Sequence, residues 1–317
     1  MTVLDQLIAP PIHLETSKVC FKKILVSTDF SPASEKALQS GIALARLFGA
    51  ELHIANVIFP SVVADRSNHM SPNILQEEES AAWTAMLRLG DMPEIRSLEH
   101  REIVRFGPVV STIQEIVNEL GIDLVIAGSH GGRGLEKMLL GSVAESLLRE
   151  SSCPVLIVGP RAAPARQDFN SILFPTALTA ESLRANQYAV SLAEQSFATI
   201  TMLHVIEGNP PANHALAADI RHRLKAQMQQ LLPEDARDWC RPKFKVQYGS
   251  TSINIIETAK EVKADLIVIG AHESKALADH APWATVSKVI ANAPCPVLTV
   301  RAHFGGPPEA IDDEGDE

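Results

Sequence analysis

Apolar residues in this chain come in short unbroken runs, separated by longer stretches in which they recur every three or four positions. The runs Lys23-Ile24-Leu25-Val26-Ser27, Leu52–Ile58, Ile103–Phe106, Leu124-Val125-Ile126-Ala127 and Pro154–Val158 predict five strands, buried on both sides. Between the first two, Ala37, Leu38, Ile42, Ala45 and Leu47 mark one face of a helix. Ser31-Pro32 opens that helix with a capping hydroxyl and a ring preset for the first helical position, and Gly49 closes it. Further helices are predicted from Ile74 to Leu89, from Val110 to Leu120 with Gly121 as the stop, and from Ser142 through Leu148. Phe59 to Pro72 is polar and rich in turn residues. Strand alternating with helix over a span of roughly 140 residues specifies an α/β domain with a mainly parallel sheet, covered on both faces.

The pattern then starts again. Phe169-Asn170-Ser171-Ile172-Leu173-Phe174-Pro175-Thr176 aligns with Phe21-Lys22-Lys23-Ile24-Leu25-Val26-Ser27-Thr28 without a gap, and the same register carries Leu203–Ile206 onto Ala55–Ile58. Tyr248-Gly249 answers Phe106-Gly107, Ala264–Gly270 answers Ile122–Gly128, and Ala293–Leu298 answers Ser151–Leu156. Ordered matches of this kind identify an internal duplication. The expected organisation is an N-terminal arm (1–20), a first domain (21–160), a linker (161–168), a second domain (169–302) and an acidic tail (303–317).

Composition narrows the function classes. The formal net charge of −10 argues against a nucleic-acid binder or an anionic-membrane binder. Six acids fall between Glu309 and Glu317, a segment that reads as disordered and serves either solubility or interaction. No apolar run is long enough to span a bilayer, and the start Met1-Thr2-Val3-Leu4-Asp5-Gln6 lacks the features of a secretory leader. The four cysteines show no metal-ligand spacing and read as reduced thiols of a cytoplasmic protein. Cys153 and Cys295 hold equivalent places beside prolines at the head of a buried strand, which points to packing rather than redox chemistry.

The segment from Gly128 to Val143 carries the candidate chemistry. A buried strand, a glycine-rich loop and a helix start form an anion site: glycines admit close backbone approach, and unpaired N–H groups point outward. Ser142 adds a hydroxyl, and Arg133 and Lys137 add positive charge. The alternative is a plain connector. The four residues His272, Glu273, Asp279 and His280 raise the thought of a metal, but their spacing fits no ligand motif.

With Gly128, two residues, Gly131, nine residues, then Gly141 and Ser142, the chain resembles the universal stress protein family, as a tandem member. Thr28-Asp29-Phe30-Ser31 and Cys153-Pro154-Val155-Leu156 support the match, which is stronger in the first copy. The resemblance implies that each copy is a five-stranded parallel, doubly wound, Rossmann-like sheet. It also implies ATP, with or without magnesium, bound across the ends of strands one and four. Carried over by position, Ser27, Thr28 and Asp29 would line the adenosine end, with Val57 against the base. Ala127, Gly128, His130, Gly131 and Arg133 would border the phosphates, and Gly141, Ser142 and Val143 would hold them. Asp29 could instead cap its own turn, His130 could be solvated, and Arg133 could pair with Glu136. The family also implies association through the fifth strands, so that the two halves pair within the chain and the paired unit can form a homodimer.

The second copy departs from the motif: Glu273 stands at Gly131, Trp283-Ala284 at Gly141-Ser142, and Ala177 at Asp29. A carboxylate repels a triphosphate and an indole would fill its space, so this copy is expected to be a structural or regulatory partner. The expected function is a cytoplasmic ATP-binding stress or regulatory protein with an unidentified protein partner. The alternatives are a slow ATPase and a nucleotide-free scaffold. No Walker A sequence, catalytic triad or paired-carboxylate clamp is present, so no catalytic residue is assigned.

Overall fold

The computed structural model describes residues 19–59, 72–130, 140–179, 182–271 and 281–301. The first half runs β1 (Lys23–Ser27), α1 (Pro32–Phe48), β2 (Glu51–Ile58), α2 (Pro72–Gly90), α3 (Pro93–Arg96), β3 (His100–Phe106), α4 (Val109–Leu120), β4 (Leu124–Gly128), α5 (Ser142–Glu150) and β5 (Val155–Val158). The second half repeats it as β6 (Ser171–Pro175), α6 (Ser182–Ser196), β7 (Thr199–Ile206), α7 (His214–Gln230), α8 (Ala236–Trp239), β8 (Lys243–Tyr248), α9 (Thr251–Glu261), β9 (Leu266–Ala271), α10 (Ala281–Asn292) and β10 (Val297–Arg301).

Local chemistry sets the boundaries of the helix that governs the site. Ser31 accepts the Ser34 N–H at the start of α1, Pro32 follows it, and Gly49 ends the helix in the left-handed region at φ 62°. Gly121 ends α4 in the same way at φ 64°. A residue with a Cβ would be strained in either place.

The ten strands form one sheet in the order β3-β2-β1-β4-β5-β10-β9-β6-β7-β8. Pairing is parallel within each half. At the joint β5 and β10 run antiparallel, with Leu156 opposite Leu298. These leucines are equivalent in the sequence repeat, so a pseudo-two-fold axis passes between them. The antiparallel joint places the carboxyl ends of the first half's strands on the edge opposite to those of the second.

Each face of the sheet carries one core that crosses the joint. One contains residues of α1, α2, α6 and α7, among them Leu38, Met86, Ala189 and Met228. The other contains residues of α4, α5, α9 and α10, among them Ile113, Leu147, Ile255 and Val289. Burial of this continuous apolar area, at roughly 25 cal/mol per Å², makes the two halves one folded body.

His53 on β2 is an exception inside this core. It pairs with Leu25, is 1% exposed, and neither ring nitrogen has a hydrogen-bond partner among the described residues. Glu51 Oε1 lies 3.4 Å from Nε2 without hydrogen-bond alignment. Burial lowers the His53 pKa, with Arg101 and Lys23 acting the same way and Glu51 opposing. The fold therefore holds the neutral ring, and protonation favours the unfolded chain. This contribution to stability is complete above the unfolded-state value of about 6.5 and is lost as pH falls below it. In urea titrations the wild-type midpoint is expected to drop between roughly pH 7 and pH 5. His53→Leu should flatten that drop, and an unchanged slope would exclude His53 as its source.

Candidate functional site

The strand order places the topological switch between β1 and β4, the position where doubly wound sheets open a crevice beyond their carboxyl ends. At the end of β1 the chain must turn sharply to enter α1, and Phe30 does so at φ 60°. The turn is fastened from within. Phe30 N–H donates to Thr28 Oγ1 at 3.0 Å, Ser31 N–H donates to Asp29 Oδ1 at 3.1 Å, and Asn56 Nδ2 donates to the Thr28 carbonyl at 2.8 Å. Thr28 is buried, with its hydroxyl also on Ser34 Oγ at 3.1 Å. Asp29 therefore caps its own turn, as one sequence reading allowed, while remaining exposed.

The second half rebuilds this turn with other residues. Leu178 sits at φ 60° and its N–H donates to Thr176 Oγ1 at 3.1 Å. His204 Nδ1 donates to the Thr176 carbonyl at 2.8 Å, doing there what Asn56 does in the first half. Burial lowers the His204 pKa, against the opposing bond to Thr176. Ala177 stands at the place of Asp29, so the turn forms without a carboxylate there. The sequence reading passed over Asn56 and His204; their shared position in the repeat was the available signal.

Across the switch, β4 ends beside β5 with Gly128 opposite Val158, and Ser129 N–H donates to the Val158 carbonyl at 3.1 Å. A Cβ on Gly128 would lie 2.8 Å from both the carbonyl carbon and oxygen of Ala33, so this glycine lets α1 press against the strand end. That is close helix–strand packing, a reason for glycine at this place in addition to the phosphate contact expected of it. Ser129 is buried, with its hydroxyl 2.9 Å from His130 Nδ1, and His130 is half-buried.

Gly141 returns the chain to this point, its N–H donating to the Ser129 carbonyl at 2.8 Å. It is the capping residue of α5 at φ −66° and ψ 150°, and among the described residues no side chain caps the helix. Ser142 is exposed in the first helical position and Val143 is half-buried. The first-turn acid Glu145 is paired with Arg149 at 2.8 Å. Helix N–H groups and the positive end of the dipole thus stand beside the crevice.

Ser27, Thr28, Asp29, Val57, Ala127, Gly128, His130, Gly141, Ser142 and Val143 lie at the carboxyl ends of β1, β2 and β4 and the start of α5. Ala127 is buried, and Val57 is half-buried against the α4/α5 core. Gly131, Arg133, Glu136 and Lys137 fall outside the described residues, as do His272, Glu273, Asp279 and His280. No group of three or more metal-ligating side chains occurs among the described residues.

In the second half the corresponding helix begins earlier relative to the repeat, at Ala281, so that Trp283 lies within α10 where Gly141 precedes α5. The indole is buried in the α9/α10 core, under the Arg149 guanidinium at 5.3 Å from its centroid. Trp283 therefore also has a role in the core and at the joint. Arg301 Nη1 reinforces the joint by donating to the Ser151 carbonyl at 3.3 Å. Cys153 and Cys295 are buried free thiols. Burial pushes Cys153 up to about 11 and raises Cys295 as well. Both remain protonated at neutral pH and act as packing groups.

The fold and the crevice define a tandem, doubly wound α/β protein. The sequence model of the universal stress protein family matches residues 21–159 and 168–301, and the chain belongs to that family. A universal stress protein of Methanocaldococcus jannaschii is 32% identical over 142 residues, spanning 44% of this chain and 82% of the relative. The Bacillus subtilis universal stress protein YxiE is 32% identical over 146 residues, 44% of this chain and 99% of its own. The crystal structure of an Archaeoglobus fulgidus universal stress protein superposes with a TM-score of 0.64 at 19% identity, covering 89% of this chain and 98% of that one. It shows the same two-domain fold. No helix among the described residues is long and apolar enough to cross a membrane.

Proposed function

We propose that the first half binds ATP in the crevice between β1 and β4, and that the protein is a cytoplasmic, nucleotide-dependent stress or regulatory protein. The observation that carries this reading is the α5 N-terminus. Its cap residue is a glycine, no side chain among the described residues caps it, and the Gly141–Ser129 bond holds it beside the switch point. A polyphosphate supplies acceptors suited to the N–H groups of such a helix start. Adenosine would lie towards Asp29 and Val57, and Gly131, Arg133 and Ser142 would complete the phosphate side. The second half is a structural partner, since its helix runs through the position of Gly141 and buries Trp283. Occupation of the crevice would act as a switch only in so far as ATP binds two states with different affinity.

Extraction of the purified protein followed by mass spectrometry should release ATP, at no more than one molecule per chain. Gly141→Trp, which places the second half's residue in the first, is expected to weaken ATP binding by about tenfold or more. Titration calorimetry reads this directly. Undiminished affinity in a folded Gly141→Trp chain would remove the α5 start from the site.

A further inference from the structure

The duplication supplies an internal control for the outer faces of the helices. The register that carries Phe106-Gly107 onto Tyr248-Gly249 also carries α2 onto α7. Their inner sides agree: Ala82 is answered by Leu224 and Met86 by Met228, all four buried. Their outer sides do not. Trp83 is 37% exposed and Leu87 59%, one turn apart on α2, whereas Lys225 and Gln229 hold the same places on α7, both exposed. One turn before Trp83, Glu79 is answered by Arg221.

Single exposed apolar residues are ordinary on a protein surface. A tryptophan and a leucine on one helix stripe, where the sister helix packs equally well with a lysine and a glutamine, are not required by the fold and mark a contact surface. Charge divides the two helices in the same sense. Helix α2 carries Glu77, Glu78 and Glu79 against one cation, Arg88, and α7 carries Arg221, Arg223 and Lys225 against one acid, Asp219. Asp219 pairs with Arg223 at 2.9 Å, so the net positive charge of α7 rests on Arg221 and Lys225. The two helices lie on the same face but at opposite ends of the sheet, α2 over β2 and β3 and α7 over β8. Strands spaced at about 4.8 Å keep them apart within one chain. The fifth strand is already used, since β5 pairs with β10, so association between chains needs another surface.

We propose that α2 of one copy docks on α7 of a second copy of this chain, with Trp83 and Leu87 against the Arg221 and Lys225 side chains and the α2 glutamates facing the α7 cations. Basic side chains cover apolar surface with their methylenes, and a cation over an indole adds attraction. A two-fold axis makes the contact twice, α2 on α7 and α7 on α2, and closes the assembly as a dimer. The dimer does not depend on nucleotide.

Sedimentation equilibrium of the full-length protein tests this. The wild type is expected to dimerise between about 1 and 100 µM, as suits contacts smaller than a standard interface, and about 0.5 M NaCl should weaken the dimer at least about threefold. Trp83→Lys with Leu87→Gln, which installs the second half's residues in the first, should raise the dissociation constant about tenfold or more, as should Lys225→Glu, each at an unchanged urea midpoint. Leu87→Gln alone, at the more exposed position, should raise it about threefold and serves if the double variant loses stability. An equimolar mixture of the double variant with Lys225→Glu regains one intact α2–α7 contact and should associate more tightly than either variant alone. A monomeric wild type, an unchanged dissociation constant in Leu87→Gln or Lys225→Glu, or a mixture no tighter than its parts overturns the proposal. Dimers that survive Lys225→Glu but not Leu87→Gln would place α2 against α2 instead. Association that appears only once residues 1–18 are removed would make the chain's own arm the cover of α2.

Discussion

Gly159→Ala is expected to destabilise the protein by about 3 kcal/mol, read as a lower urea midpoint and an unfolding curve that separates into two steps. Gly159 directly follows β5 and is buried against the last helix of the other half. A Cβ built there would stand 2.1 Å from the Ile290 carbonyl oxygen and 3.2 Å from its carbon, a backbone obstacle that no side-chain rotation relieves. Helix α10 cannot retreat cheaply, because Val289 and Ile290 are both 0% exposed in the shared core. Nor can β5, whose residues Val155, Leu156 and Ile157 pair with β10 across the joint. The strain therefore falls on the contact that makes two domains into one body. Gly49→Ala provides the scale. Its φ of 62° costs a substituted residue about 1 to 2 kcal/mol at a helix end, away from the joint. A Gly159→Ala midpoint no lower than that of Gly49→Ala would show that the halves slide freely past each other.

The contrast between these glycines marks where the sequence is legible. Gly49 and Gly121 announce themselves, because a helix end written as a periodic stretch followed by glycine is decided within a few residues. The same holds for Ser31-Pro32, and for β1, whose observed span of Lys23–Ser27 coincides with the apolar run. Gly159 reads as part of a linker, since its reason lies in Ile290 across the joint. The short helix α3 carries too few residues to show a period and was not anticipated.

Long-range placement also explains the differences at the site. Gly128 belonged to a recognisable spacing, but its contact with Ala33 depends on how α1 crosses β4. Trp283 was visible as a departure from the motif; its place under Arg149 became visible only once the antiparallel β5–β10 pairing set the two halves side by side. His53 and Thr201 hold equivalent positions, and both bury a polar atom without a partner, which neither composition nor period discloses. The β1–α1 turn sits between these cases. Its residues were singled out, and the structure supplies their division of labour.

That division makes Asp29→Ala the sharpest separation of fold from function available in this chain. The turn it occupies is tied by Thr28 Oγ1, by Asn56 Nδ2 and by Ser31 at the start of α1, all of which the variant keeps. The second half forms the same turn, with Leu178 at φ 60°, around Ala177. Loss of the contacts of this exposed carboxylate, the Ser31 N–H bond to Asp29 Oδ1 among them, should cost no more than about 1 kcal/mol of stability. Binding should respond differently, because a carboxylate that accepts hydrogen bonds from the adenosine moiety contributes roughly 1.5 to 3 kcal/mol, or about ten- to hundredfold in affinity. Calorimetric titration with ATP and urea unfolding of the same preparation measure the two quantities together. Weakened binding at a retained midpoint places Asp29 on the nucleotide, whereas unchanged affinity confines it to its turn. A midpoint that collapses would mean that the unrelated residues of the second half hold their turn by means the first half lacks.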